Sequence, residues 1–191
     1  MIVPAADGVE AAAAALATGE LVAFPTDTVY GLAGDAERIY RAKRRPPERR
    51  LPVLVADRVQ AEALVGAFSP LATALADRWW PGPLTLVVAH GDATVGLRQP
   101  AHPVVIALCR AAGPLPTTSA NRHGHPSATT AEEVVAALGD EVAVVLDGGR
   151  RDGLASTVVD CTGARPVLLR AGGVAWEDIC AEVGRQGEQP R

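Results

Sequence analysis

Short apolar runs, each closed by proline, glycine or a polar cluster, set the strongest limit on how this chain folds. "LVAFP" (21–25) reads as a buried strand ended by Pro25, and "LPVLVAD" (51–57) as the next. "LTLVVA" (84–89) and "TVGLR" (94–98) read as neighbouring strands joined through His90-Gly91-Asp92. Further strands are expected at 115–121, 142–146, 156–161 and 166–170. Helices fall between them. Asp7-Gly-Val-Glu10 predicts a capping box for an alanine-rich helix stopping at Gly19, and Ser69-Pro70 starts another with proline at its first position. A helix is expected over 103–112, one capped by Thr130-Ala-Glu-Glu133 and ending at Gly139, and a last one from near Ala175. Strands interleaved with helices predict an α/β fold: a single domain over 1–183 with one twisted, mixed sheet flanked by helices, followed by a polar tail at 184–191. No internal repeat or low-complexity linker divides it.

At 191 residues, with 48% hydrophobic and 21% charged residues, the chain has the composition of a soluble globular protein with a sizeable core. Cys109, Cys161 and Cys180 are odd in number and lack CxxC spacing, which argues against a disulfide framework or zinc site and for a reducing compartment. No basic residue precedes Arg38, so the positive segment of a signal peptide is missing, and the apolar runs are too short to span a bilayer. A cytoplasmic location is the expectation.

The net charge of −4 gives no overall basic surface. Locally the sign reverses: Arg38, Arg41, Lys43, Arg44, Arg45, Arg49 and Arg50 crowd one stretch, opposed by Glu48. Pro46-Pro47 place this cluster across a helix end and a loop, where an anion is expected. Lys43 is the only lysine in the chain.

Polar groups gather where strands end. "PTDTVYGL" (25–32), "TTSAN" (117–121) and "STVVD" (156–160) each place hydroxyls at a strand terminus, where ligands collect in open α/β sheets. Each is also compatible with an ordinary turn, Asp27 and the threonines capping local backbone. Three such ends beside a basic loop predict a pocket of hydroxyls and cations, suited to an amino acid or ribose and to phosphates or carboxylates. Phosphate-loop, dinucleotide-binding and nucleophile-elbow motifs are absent. His123-Gly-His125 lacks a well-spaced third metal ligand, and Trp79 and Trp80 read as packing residues. Composition and spacing alone reach a small α/β domain binding an anionic small molecule.

The ordered set "FPTDTVYGL" (24–32), "KRRP" (43–46), "WPGPLT" (80–85), "LRQPAHP" (97–103), "TTSAN", "STVVD" and "LLRAGG" (168–173) resembles the YrdC-type threonylcarbamoyl-AMP synthases from about residue 8 to 178. The resemblance implies a twisted α/β sheet around a large concave, positive cavity. It implies synthesis of threonylcarbamoyl-AMP and pyrophosphate from L-threonine, bicarbonate and ATP, with Mg²⁺ carried on the ATP. The product would pass to a tRNA threonylcarbamoyl transferase for modification of adenosine 37. It also leaves room for contact with tRNA or double-stranded RNA. The family's K-x-R and S-x-N pair falls on Lys43 and Arg45, then Ser119 and Asn121. Lys43 and Arg45 would be catalytic, Lys43 as a compact charge following the phosphoryl group. Arg45, Arg49, Thr94, Ser119, Asn121, Ser127 and Arg170 would bind ATP; Thr28, Tyr30, Arg98, Thr117 and Ser156 would bind threonine. Two features depart from the pattern: Leu54 stands where many members have histidine, and Gly31–Lys43 is about two helical turns short by the 3.6-residue repeat. The competing expectation is a diverged relative that binds nucleotide or double-stranded RNA without this synthesis.

Overall fold

The computed structural model describes residues 1–44, 46, 48 and 50–187. Ten strands form one sheet: β1 (Ile2–Pro4), β2 (Val22–Phe24), β3 (Gly31–Ala33), β4 (Val53–Leu54), β5 (Leu84–His90), β6 (Ala93–Arg98), β7 (Leu115–Ser119), β8 (Val144–Asp147), β9 (Thr157–Asp160) and β10 (Val167–Arg170). Their order is β1-β8-β2-β3-β7-β4-β6-β5-β9-β10. The sheet is mixed: β8 runs parallel to β1 and β2, while β7 is antiparallel to both β3 and β4. The helices are α1 (Val9–Ala17), α2 (Ala36–Lys43), α3 (Arg58–Val65), α4 (Pro70–Trp79), α5 (Pro103–Ala112), α6 (Ala131–Leu138) and α7 (Trp176–Gly187). The mixed α/β class is the one expected.

Strand alternation decides which layer each residue joins. In β2, Val22 and Phe24 pack with Ala12 of α1 and with Val105 and Leu108 of α5. Ala23, between them, joins Ile39 of α2 and Val134 and Leu138 of α6 on the other face. Helices therefore cover both faces here. In β5, Leu84, Leu86 and Val88 pack with Ala61 of α3, Leu75 of α4 and Ile179 of α7. Leu86 is fully buried, and its truncation to alanine costs about 2–5 kcal/mol. Thr85 falls between two of these leucines, so it points to the opposite face, as Arg98 does beside core Leu97. That face carries the pocket.

Local signals explain most helix starts. Ser69 accepts a hydrogen bond from the Ala72 amide, Asp57 from that of Gln60, and Thr130 from that of Glu133. The Asp7–Glu10 capping box does not form. Gly8 is the N-cap and lacks a side-chain cap bond, and the amides of Asp7 and Gly8 both donate to the Pro4 carbonyl. That turn packs Gly8 against β1 and β8: a Cβ there would lie 2.5 Å from side-chain atoms of Val3 and Leu146. Strands β1 and β3 and helix α3 add to the expected elements. The boundary expected at residue 183 falls inside α7, whose helix runs through Gly187; residues 188–191 lie outside the described residues. No helix among the described residues is long and apolar enough to cross a membrane.

Candidate functional site

The ends of β3, β6, β7, β9 and β10 converge with the segment after β2 around a cavity of about 180 Å³. Hydroxyls dominate its wall: Thr26, Thr28, Thr85, Thr117, Thr118, Ser119, Ser127 and Ser156, with Tyr30. Arg98 and Arg170 supply charge, Leu54 an apolar patch, and the described lining holds no carboxylate. Among the described residues no cluster of three or more His, Cys, Asp or Glu is placed to hold a metal ion.

The segment after β2 is built around two threonines. The Thr26 hydroxyl donates to the Val29 carbonyl at 2.7 Å and accepts from the Thr28 amide at 2.9 Å. Its hydrogen being spent, the 2.9 Å contact between the two hydroxyls is donated by Thr28. Thr28 in turn accepts from Arg98 Nη1 at 3.1 Å. A lone pair on Thr28 thus remains to accept from a ligand N–H.

Arg98 is held on three sides. Nε donates to the Gly82 carbonyl at 3.0 Å, Nη1 to Thr28, and Nη2 to Asp27 Oδ1 at 2.6 Å. Burial pushes its guanidinium pKa down, and Asp27 opposes the shift. Among the described residues, Asp27 Oδ2 is buried without a hydrogen-bond partner, as is Nδ1 of His102 at the start of α5. Three of the five guanidinium N–H groups of Arg98 are engaged, leaving two for a carboxylate.

On the far side, Arg170 Nε and Nη2 donate to the Ser156 carbonyl, and Nη2 also to Ser156 Oγ at 3.0 Å. Ser156 Oγ lies 2.9 Å from Thr85 Oγ1. A β-bulge between Leu168 and Arg170 puts one extra residue into β10, and bulges of this kind re-aim a side chain.

Beneath β7 lies Lys43. Its side chain is 1% exposed, and Nζ donates to the Ser119 carbonyl at 2.5 Å, to the Asn121 carbonyl, and to Asn121 Oδ1 at 3.3 Å. Ser119 Oγ donates to the same Oδ1 at 2.5 Å. The Asn121 amide donates to the carbonyls of Arg122 and His125, which ties down the following loop. Helix α2 ends at Lys43 because Arg44 takes the left-handed conformation, φ 51°.

Eight of the expected site residues therefore share one wall: Thr28, Tyr30, Arg98, Thr117, Ser119, Ser127, Ser156 and Arg170. Lys43 and Asn121 stand behind Ser119 rather than on the wall. Thr94 is exposed on β6, where its carbonyl accepts from Arg50 Nη1, and it is not part of the lining. Arg45 and Arg49 lie outside the described residues. Tyr30 contributes its ring; its hydroxyl donates to the Gly149 carbonyl at 2.9 Å and accepts from the Gly148 amide, and burial raises its pKa. Thr26, Thr85 and Thr118 join the site without having been singled out as binding residues. A threonine between two core leucines in β5 was the signal for Thr85.

Comparison with known proteins identifies the family. The family model for Sua5, YciO and YrdC proteins, described under telomere recombination, matches residues 14–172. The chain is 43% identical to the threonylcarbamoyl-AMP synthase of Bacillus subtilis over 91% of its own length and 56% of that protein's. It is 36% identical to the threonylcarbamoyl-AMP synthase of Vibrio cholerae serotype O1, covering 74% of this chain and 86% of that one. Among solved structures, P. abyssi Sua5 complexed with L-threonine superposes with a TM-score of 0.87 at 38% identity, over 92% of this chain and 57% of that one. The chain thus spans a little over half of the B. subtilis and P. abyssi proteins and most of the V. cholerae one. On sequence and fold together, the chain belongs to the Sua5/YciO/YrdC family.

Proposed function

We propose that this chain makes threonylcarbamoyl-AMP: L-threonine, bicarbonate and ATP give threonylcarbamoyl-AMP, pyrophosphate and water. The observation that carries this reading is a single wall on which two arginines flank rows of hydroxyls, in a family whose named synthases share most of this chain. The threonine seen in P. abyssi Sua5 supports the amino-acid half.

The chemistry follows from charge. The threonine amine adds to bicarbonate carbon; an N–C bond forms and water leaves, giving an N-carboxythreonine. Its carboxylate oxygen attacks the α-phosphorus of ATP, the bond to the β-phosphate oxygen breaks, and pyrophosphate departs. Two anions must meet, so the protein's main contributions are positioning and positive potential. Arg98 and Thr28 hold threonine with Tyr30, Thr117 and Ser156; Ser119, Ser127 and Arg170 hold the nucleotide within the cavity, and the family resemblance adds Arg45, Arg49 and, outside the lining, Thr94. Lys43 and Arg45 act on the phosphoryl group, Lys43 by fixing the Ser119–Asn121 turn. Mg²⁺ would be carried on the ATP phosphates, where it would offset their charge. The product is handed to a tRNA threonylcarbamoyl transferase in the cytoplasm.

The test is direct. Protein, ATP, Mg²⁺, bicarbonate and labelled threonine are incubated, and threonylcarbamoyl-adenylate and pyrophosphate are measured. Pyrophosphate release that ignores threonine and bicarbonate would sink the proposal. Salt-sensitive binding of double-stranded RNA in the absence of that release would favour an RNA-binding relative.

A further inference from the structure

We infer that Thr85 and Ser156 together form the subsite for the carboxylate derived from bicarbonate, a reading that rests on the synthase activity proposed above. Both residues are buried, at 4% and 5% exposure, and both line the cavity. Arg170 Nη2 has no lone pair to offer, so Ser156 Oγ is the acceptor in that 3.0 Å contact. The two hydroxyls have two hydrogens and share one 2.9 Å bond, and neither has another acceptor among the described residues. Two arrangements satisfy this. Either Ser156 donates to Thr85 and the Thr85 hydrogen is spare, or Thr85 donates to Ser156 and the Ser156 hydrogen is spare. In both, the pair presents one O–H donor to the cavity, with the Arg170 guanidinium beside it on the same wall.

Such a donor suits an anionic oxygen. The substrate offers two carboxylates, its own and the one that forms on its amine. Arg98 retains two N–H groups for the first, and Thr28 retains a lone pair for the amine. The carboxylate formed on nitrogen must lie next to the α-phosphorus it attacks. Of the two hydroxyl groupings, the Thr85–Ser156 pair is the one that touches Arg170, proposed above as a nucleotide contact. The second carboxylate therefore goes to Thr85 and Ser156.

The experiment compares Thr85→Val and Thr85→Ser with the unaltered chain. Apparent KM is measured for bicarbonate, threonine and ATP in turn, and threonine binding is measured calorimetrically in bicarbonate-free buffer. Thr85→Val is expected to raise the bicarbonate KM about tenfold, the loss of one hydrogen bond to an anion. Threonine binding and the other two KM values should stay within about twofold on the same scale. Thr85→Ser loses the methyl packed over Gly96 and keeps the hydroxyl, so it should restore the bicarbonate KM. An unchanged bicarbonate KM in Thr85→Val overturns the assignment, as does an equal rise for all three substrates. If Thr85→Val does not fold, Thr85→Ser decides: a near-normal bicarbonate KM supports the subsite, and a tenfold rise removes it. An unaltered chain that makes no threonylcarbamoyl-AMP sinks the synthase reading and this one together; an active chain with an indifferent Thr85→Val sinks only the subsite.

Discussion

The Lys43 ammonium is buried beneath Asn121, donating to both its backbone carbonyl and its side-chain oxygen. A group expected to follow a moving phosphoryl thus doubles as a strut under the turn that carries Ser119. Lys43→Ala removes the buried donor of the Asn121 carbonyl, while Oδ1 keeps its bond from Ser119, at about 1–3 kcal/mol for one orphaned acceptor. A melting temperature lower by several degrees is expected along with lost turnover, at roughly 2–4 °C per kcal/mol in a chain of this size. Calorimetry checks it; an unshifted melting curve with lost turnover would return Lys43 to a purely chemical role.

Arg44 ends α2 at a φ of 51°, in the left-handed region that costs a side chain about 1–2 kcal/mol and glycine almost nothing. Glycine gives part of that back through the entropy of the unfolded chain. Arg44→Gly should therefore raise the melting temperature by about 1–3 °C. A drop would show that the arginine side chain supplies more than its conformation costs.

Arg98 and Asp27 form an ion pair with side-chain exposures of 8% and 14%. Removing the carboxylate strands a buried guanidinium, a change worth about 3–5 kcal/mol in comparable pairs. Asp27→Ala should lower the melting temperature by roughly 6–20 °C and weaken threonine binding, because Thr28 depends on the same arginine. Retained stability with normal threonine affinity would show that the pair is dispensable.

Burial pushes the thiols of Cys109 and Cys161 up to about 12. In the unfolded chain they ionise near 8.5. The folded values being raised, their contribution to stability is complete below the unfolded pKa. It declines as pH rises from there towards 12. Alkaline unfolding should therefore move to higher pH in a Cys109→Ala/Cys161→Ala variant compared with the unaltered chain at matched neutral stability. In native protein a thiol reagent should label exposed Cys180 and spare the other two.

Ser119 donates to the side chain that Lys43 also holds. Ser119→Ala should raise the ATP KM by about five- to tenfold, the value of one hydrogen bond, with little change for threonine. Unaltered nucleotide affinity in an equilibrium binding measurement would remove Ser119 from that half of the site.

The strand-rich middle of the chain was legible because β5 to β7 and α4 to α6 carry unambiguous punctuation: Ser69-Pro70, His90-Gly91-Asp92 and Thr130 before α6. The opening helix was placed, but its cap was misread. Asp7 has the right chemistry for capping, yet the close approach of Gly8 to Val3 and Leu146 is a tertiary fact that no local pattern carries. Strand β3 stayed hidden because three residues, one of them glycine, hold too little periodicity; its pairing with both β2 and β7 comes from long-range contacts. The polar strand ends marked the cavity. The division of labour within it was not legible: that Tyr30 spends its hydroxyl on Gly148 and Gly149, or that Asn121 faces inward, depends on partners more than one hundred or as many as 78 positions away.

The bulged strand that presents Arg170 is the outermost one on its side of the sheet, bonded to a neighbour along one edge alone. Outer strands open and reclose more readily than central ones. The cation beside Ser156 can thus be withdrawn by the peeling of four residues while the rest of the molecule keeps its shape. Amide exchange along 167–170 should then be faster than in β2, and catalytic competence on warming should fade before the bulk of the structure melts.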